Sequence, residues 1–226
     1  MPPGTFDRTG FRIVSGVLRD AECDRLLEAL ADLSPGRRRA GARHVLSVPA
    51  IRSAALDSRL LELAHEALAE RAIPYRATLF DKSPDANWLV PWHQDKTLPI
   101  RDRFEKEGWG PWSVKAGVLH AQVPAEVLDR VVALRLHLDE STDENGPLRV
   151  IPGSHETGVL QDAAIASLAE RSAPVTCLVP RGGILVMKPL LVHASSKATS
   201  DRPRRVLHIE YTSSLTLGPG QEIAEI

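Results

Sequence analysis

This sequence predicts a mainly β fold: a double-sheet jelly roll with helices packed outside it. Three observations predict it. Two segments with helical spacing of leucines come first. From Pro74 onward the texture changes to about eight short runs rich in Val, Ile and Leu, parted by Gly, Pro, Asn and Asp. Two of those runs also alternate an aliphatic face with a polar one, which is the two-residue period of a strand. At 226 residues, 43% hydrophobic and 25% charged, the chain can bury a sizeable core. It is read as one domain over 1–226, with 1–73 supplying a strand and supporting helices and 74–215 the jelly-roll core.

In chain order, Phe11–Val14 reads as a short strand. Asp20 can cap a helix whose apolar positions are Cys23, Leu26, Leu27, Leu30 and Leu33, ended by Ser34-Pro35-Gly36. A second helix carries Leu56, Leu60, Leu63, Ala64, Ala67 and Leu68, and Pro74 stops it. Strands follow at Tyr75–Asp81, Trp88–Trp92, Lys115–His120, Val131–Asp139, Leu148–Ile151, Val175–Val179, Ile184–Met187 and Arg204–Tyr211. Short helices are expected over Ala125–Arg130 and Ala163–Arg171. In Val131–Asp139 the face Val132, Leu134, Leu136, Leu138 opposes Arg135, His137 and Asp139. In Arg204–Tyr211 the face Leu207, Ile209, Tyr211 opposes Arg204, Val206, His208 and Glu210. The polar faces either meet water or line a cavity inside the barrel.

The bulk numbers exclude several classes. A net charge of −1, from 28 basic and 29 acidic residues, leaves no electrostatic footprint for nucleic acid. The run Arg37-Arg38-Arg39 sits between Gly36 and Gly41 and reads as a solvated loop. Two cysteines, Cys23 and Cys177, make no disulfide framework and suit a reducing compartment. The N-terminus has no leader pattern and no run of about 18 apolar residues exists, so the expected place is the cytoplasm, without a membrane partner.

The chemistry lies in Trp92-His93-Gln94-Asp95. On a strand, residues two apart point the same way, so His93 and Asp95 can reach one metal ion. Two imidazoles and one carboxylate form the facial triad, which leaves coordination positions open for dioxygen and a co-substrate. A structural zinc site would instead close its shell. The third ligand must come from elsewhere, and His193 ends the apolar run from Ile184. Arg204 follows eleven residues later and opens a strand.

With these motifs the chain resembles the phytanoyl-CoA dioxygenase family over most of its length. The opening Gly10-Phe11-Arg12-Ile13-Val14 with Cys23 beyond it, His93-Gln94-Asp95, the turn Glu144-Asn145-Gly146-Pro147 leading to Pro152-Gly153-Ser154-His155, then His193-Ala194-Ser195 and Arg204 carry the resemblance, in order. It implies a double-stranded β-helix of cupin-like form. It implies iron(II) held by His93, Asp95 and His193, with dioxygen and 2-oxoglutarate as reactants. Arg204 would grip the distal carboxylate of 2-oxoglutarate, Ser195 would hydrogen-bond it, and Thr78 and Arg135 would make further contacts. Arg135 departs from the family pattern, as does Gly182-Gly183 where Gly-Asp is usual. Because Asp95 keeps the carboxylate that related halogenases lack, hydroxylation of a small molecule is the expected outcome. Desaturation, epimerisation or ring formation at the same iron, and a β-sandwich that binds without turnover, are the alternatives.

Other residues have weaker cases. His44, His65 and His155 read as surface, turn or packing residues, and His120 and His208 as strand residues. His137, on Arg135's face, is a substrate-contact candidate with Trp92, Lys96 and Trp112. The tryptophans Trp88, Trp92, Trp109 and Trp112 flank the metal motif and could wall a pocket. Lys96–Ser113 is long and charged and suits a lid. Lys82, Lys96 and Lys115 could each meet an anionic substrate.

Overall fold

In the computed structural model, which describes residues 5–31, 41–83 and 86–226, the chain opens with helix α1 (Thr5–Thr9) and strand β1 (Phe11–Val14). Helix α2 (Asp20–Ala31) buries Cys23, Leu26 and Leu30 at helical spacing. Its expected continuation through Leu33 to Ser34-Pro35-Gly36, and the arginine run 37–39, lie outside the described residues. After β2 (Ala42–Arg43) the structure corrects the second helix: it is two. Helix α3 (Pro49–Ala55) starts with a proline, whose missing N–H costs nothing in a first turn. Asp57 then caps α4 (Ser58–Leu68) by accepting the Arg59 N–H at 3.0 Å. Leu56 falls in the break and is 50% exposed rather than on the stripe. Helix α4 ends at a left-handed Ala69, so Pro74 is not its stop but a buried residue of β3 (Ile73–Lys82).

Strands β4 (Val90–His93) and β5 (Thr97–Pro99) follow. The single strand expected over Lys115–His120 is a hairpin of β6 (Trp112–Lys115) and β7 (Val118–Gln122). Ala116 and Gly117, with φ of 49° and 83°, turn it, and consecutive left-handed residues are what a tight hairpin requires. The remaining elements are α5 (Ala125–Leu128), β8 (Val131–His137), β9 (Leu148–Val150), α6 (Asp162–Arg171), β10 (Val175–Cys177), β11 (Ile184–Met187), β12 (His193–Ser195), β13 (Arg204–Thr212), β14 (Thr216–Gly218) and β15 (Gln221–Glu222).

The major sheet runs β1-β11-β8-β13-β3-β2 and the minor sheet β10-β9-β12-β4, with every pair antiparallel. Between them Ala133, Leu185 and Met187 of the major sheet pack on Leu148, Val150 and Cys177 of the minor one. The outer face of the major sheet, including Leu134, Leu136, Leu207 and Ile209, packs on Cys23, Leu30, Ile51 and Leu60 of the helices. Each such aliphatic side chain contributes roughly 1.5–3 kcal/mol on burial. The fold is therefore the expected jelly roll with helices outside, and it decides the open question about β8 and β13. Their aliphatic faces lie under the helices, so Arg135, Arg204, His208 and Glu210 turn inward.

The stretch expected as a lid is anchored instead. Residues 97–99 and 112–115 are strands of a small sheet β5-β7-β6. Phe104 packs on Trp109 and Trp112 at ring separations of 4.8 and 5.3 Å, over a cluster with Leu98 and Ile100. Among the described residues no helix is long and apolar enough to cross a membrane.

Candidate metal centre

Strands β4 and β12 are hydrogen-bonded neighbours, and their register sets His93 opposite His193. Asp95 lies just past β4, its N–H donating to Pro189 O at 2.9 Å. Ligand-capable atoms of His93, Asp95 and His193 all lie within 4.8 Å of one another, close enough for one ion. Both histidines are set in the same tautomer by the backbone. Nδ1 of His93 faces Pro91 O at 2.9 Å, and Nδ1 of His193 faces Leu191 O at 2.8 Å. A carbonyl can only accept, so Nδ1 carries the proton and Nε2 presents its lone pair. The two Nε2 atoms sit 3.9 and 3.7 Å from the Asp95 carboxylate.

The electrostatics agree with a metal-ligand role. Burial, then the neighbouring His93, push His193 down to about 3, so its ring is neutral at ordinary pH. Burial would raise Asp95, but His193, His93 and His208 outweigh it and hold the carboxyl below its usual range. A neutral His193 imidazole beside an ionised Asp95 carboxylate is the state a divalent ion needs of its ligands.

Two buried side chains that the sequence reading passed over support this frame. Gln94 points away from the ligands and is fully used: Nε2 donates to Gly158 O (2.9 Å) and Leu190 O (2.8 Å), and Oε1 accepts from Leu160 N (2.8 Å). It ties the His93–Asp95 segment to the chain entering His193. Ser154 does similar work, accepting from Val192 N at 2.8 Å and donating to Ile151 O at 2.7 Å.

A cavity of about 200 Å³ opens beside the triad, between the two sheets. Toward its Arg204 end lie three cations without a carboxylate partner among the described residues. Arg204 is 3% exposed; its Nε donates to Asn145 O (3.2 Å), its Nη2 to Ser195 Oγ (3.4 Å), and its buried Nη1 to nothing. Lys82 donates to Ser195 Oγ at 2.8 Å and to Ser196 O, with its ammonium 5.4 Å from the Trp88 ring. Arg135 donates to His208 Nδ1 at 3.1 Å and lies 5.1 Å from the Phe80 ring. Burial, then Arg135, bring Arg204 down to about 9; burial, then Arg204 and Arg135, bring Lys82 down to about 8. A buried cation without an anion is costly, so this end is built for an oxyanion. Ser195 stands in the middle of it, but its hydroxyl proton is donated to Gly146 O at 2.9 Å and its oxygen serves the two cations. Thr78 lines the cavity beside its register partner His208.

The other expected substrate contacts, Trp92, Lys96, Trp112 and His137, lie outside the cavity lining. Trp92, one residue before His93, faces away from the cavity and packs on Ile151, Ile165 and Val192. Lys96 donates to Leu160 O at 3.0 Å, and Trp112 belongs to the small-sheet cluster. His137, 1% exposed, is enclosed beyond Arg135, away from the cavity wall. Of the tryptophans, Trp88 lines the cavity. His155 is a packing residue, its Nε2 donating to Asp7 O at 2.8 Å.

Three comparisons bear on the chain. The family model described as phytanoyl-CoA dioxygenase matches residues 6–206. An L-proline trans-4-hydroxylase of Streptomyces griseoviridis is 30% identical over 138 residues, covering 50% of this chain and 51% of that protein. An ectoine dioxygenase of Sphingopyxis alaskensis is 25% identical over 187 residues, covering 73% of this chain and 54% of that protein. The chain thus spans about half the length of the curated relatives it matches. Among solved structures, EctD from S. alaskensis with bound Fe superposes with a TM-score of 0.70 at 21% identity, over 93% of this chain and 75% of that one. A non-heme alpha-ketoglutarate-dependent carbocyclase from nogalamycin biosynthesis superposes at 0.71 with 16% identity, over 97% and 94%. At these identities the structures establish the fold.

Proposed function

The chain belongs to the phytanoyl-CoA dioxygenase family, and on that premise we propose that it is an iron(II)- and 2-oxoglutarate-dependent oxygenase that hydroxylates a small organic molecule. The observation that carries the proposal is the juxtaposition of one triad and one anion-binding end. His93, Asp95 and His193 converge within 4.8 Å, and the same cavity holds Arg204 with a buried, unpartnered Nη1.

These residues fit the groups the family implies. Two imidazole Nε2 atoms and a carboxylate would hold iron(II) on one face and leave positions open. Bound there, iron with 2-oxoglutarate and dioxygen supplies the oxidising power to hydroxylate a C–H bond, releasing succinate and carbon dioxide. The protein's own work is placement. Pro91 and Leu191 carbonyls fix the two rings, and Pro189 fixes Asp95 through its N–H. Arg204 and Lys82, joined through Ser195 Oγ, would receive the far carboxylate of 2-oxoglutarate; a guanidinium makes that contact at two points and so sets orientation. Thr78 and Arg135 flank the space between. The retained Asp95 carboxylate favours hydroxylation over halogenation. The substrate is a small molecule, as the relatives named for L-proline and ectoine suggest. The buried, unpaired Cys23 and Cys177 suit the reducing cytoplasm.

The test is succinate release from 2-oxoglutarate by purified protein in air, with and without iron(II), before any substrate is added. Slow release that needs iron is expected. Iron-loaded protein that leaves 2-oxoglutarate intact would refute the proposal.

A further inference from the structure

Charge is unevenly shared along the cavity. Counting side chains alone, its wall carries five cations, Arg43, Arg76, Lys115, Arg135 and Arg204, against two acids, Asp95 and Glu210, a side-chain surplus of three. Four of the lining histidines, His44, His120, His193 and His208, are pushed down by burial above all and add no charge at pH 7. Iron(II) and the 2-oxoglutarate dianion cancel each other, so loading the site leaves the surplus in place.

The surplus is not spread evenly. Along β13 the inward residues run from Arg204 through Val206 and His208 to Glu210. At the Glu210 end, Arg76 is already neutralised: its Nη2 donates to Glu210 Oε1 at 2.6 Å and its Nε to Oε2, while Tyr75 OH donates to Oε1 at 3.1 Å. Lys115 and Arg43 flank that pair and enter no ion pair among the described residues. Lys115 donates to Thr97 Oγ1 at 2.9 Å and is otherwise free. Its ammonium is pushed down by burial, then by Arg76 and Arg43, while Asp95 and Glu210 pull it the other way. Arg43 reaches the wall from β2, level with Thr78. Lys115 and the more exposed Arg43 both line the cavity beside this paired cation, without a carboxylate partner among the described residues, and so offer a second oxyanion-binding end apart from Arg204.

We propose that the substrate is a small organic anion whose carboxylate is received by Lys115 and Arg43 at the Glu210 end of the cavity. This rests on the oxygenase reading above and narrows it to a class. With 2-oxoglutarate at the Arg204 end, the two anions occupy opposite ends, and the body of the substrate passes the triad.

The experiment measures substrate-stimulated succinate release over the substrate-free rate, using small organic acids, each paired with its methyl ester and its amine analogue, and a parallel arm of phosphate monoesters. Free acids are expected to stimulate while esters and amines do not. Stimulation by phosphate monoesters and not by carboxylates would overturn the carboxylate assignment. Stimulation by neutral or cationic members only, or by no member, would overturn the anion site itself. Failure of the oxygenase reading looks different, since wild-type protein would then release no succinate at all. In Lys115→Met and Arg43→Gln, each of which removes the charge and keeps most of the side-chain length, the acid needed for half-maximal stimulation should rise about 10- to 100-fold, the usual worth of one hydrogen bond to a charged group. Lys115→Glu should invert the preference, so that the amine analogue outperforms its acid. Unchanged half-maximal concentrations in both single variants would overturn the assignment of these two residues.

Discussion

Arg204 offers the most quantitative perturbation. It is 3% exposed, holds Asn145 O and Ser195 Oγ, and leaves Nη1 buried without a partner, so truncation to alanine removes a desolvated guanidinium and little else. Removing one member of a buried, hydrogen-bonded charge pair costs roughly 2–5 kcal/mol of binding, or about 30-fold to more than 1,000-fold in affinity. The structure places the single variant at the low end, because Lys82 stands 2.8 Å from the same Ser195 Oγ and keeps a positive field there. Arg204→Ala should therefore weaken 2-oxoglutarate binding about 30- to 100-fold, and the double variant with Lys82→Met should go well beyond the product of the two single effects, since either cation partly covers for the other. Arg204→Lys should recover only part of the loss, lacking the two-point contact. Arg205 is the internal control: it faces the other side of β13 and is paired with Asp139 at 2.7 Å through both Nε and Nη2. The assay is anaerobic titration of 2-oxoglutarate into the iron(II) protein, followed by charge-transfer absorbance. Wild-type affinity in Arg204→Ala, or an equal loss in Arg205→Ala, would refute the reasoning.

Three further outcomes follow from the same geometry. Lys82, brought down to about 8 by burial and its cationic neighbours, is protonated below that pH, and an anion binds the protonated form better; 2-oxoglutarate affinity should hold below pH 8 and fall as pH rises through it, and in Lys82→Met the onset of the fall should move up toward about 9, where Arg204 titrates. Gln94→Ala strands the Gly158 and Leu190 carbonyls and the Leu160 N–H, so urea unfolding should show a loss of at least about 2 kcal/mol, with weaker iron binding measured on the same protein; a change in neither would remove Gln94 from the frame. Leu60→Ala, at a fully buried position between α4 and the major sheet, should cost roughly 2–5 kcal/mol by denaturant titration, and a loss under about 1 kcal/mol would contradict the packing.

The jelly roll was legible because its signal is local: alternation in β8 and β13 can be read off the chain, and only the choice of which face turns inward needed the helices in place. The triad was legible for a related reason, since spacing two on a strand puts His93 and Asp95 on one side, and a motif resemblance supplied His193. What the sequence hid depends on three dimensions. The apolar stripe through Leu56 crosses a cap at Asp57 that periodicity does not see. Ala116 adopts a left-handed conformation that a strand pattern does not announce. Trp92, Lys96 and Trp112 look like pocket residues by their place near the motif, and His137 by sharing Arg135's strand face, yet alternation turns Trp92 outward and the other three lie off the cavity lining. Lys82 and the Arg76–Glu210 pair work through register across β3 and β13, a pairing that nothing in the linear order marks.

Every role proposed for the cavity depends on His93, Asp95 and His193 holding one iron ion. Anaerobic titration of iron(II) into metal-free protein tests it most directly, on wild type and on His193→Ala, with Asp95→Gly as the milder variant that keeps both imidazoles. One iron per chain is expected for the wild type, no measurable site in His193→Ala, and weakened binding in Asp95→Gly with hydroxylation lost. Wild-type iron binding in His193→Ala would contradict it.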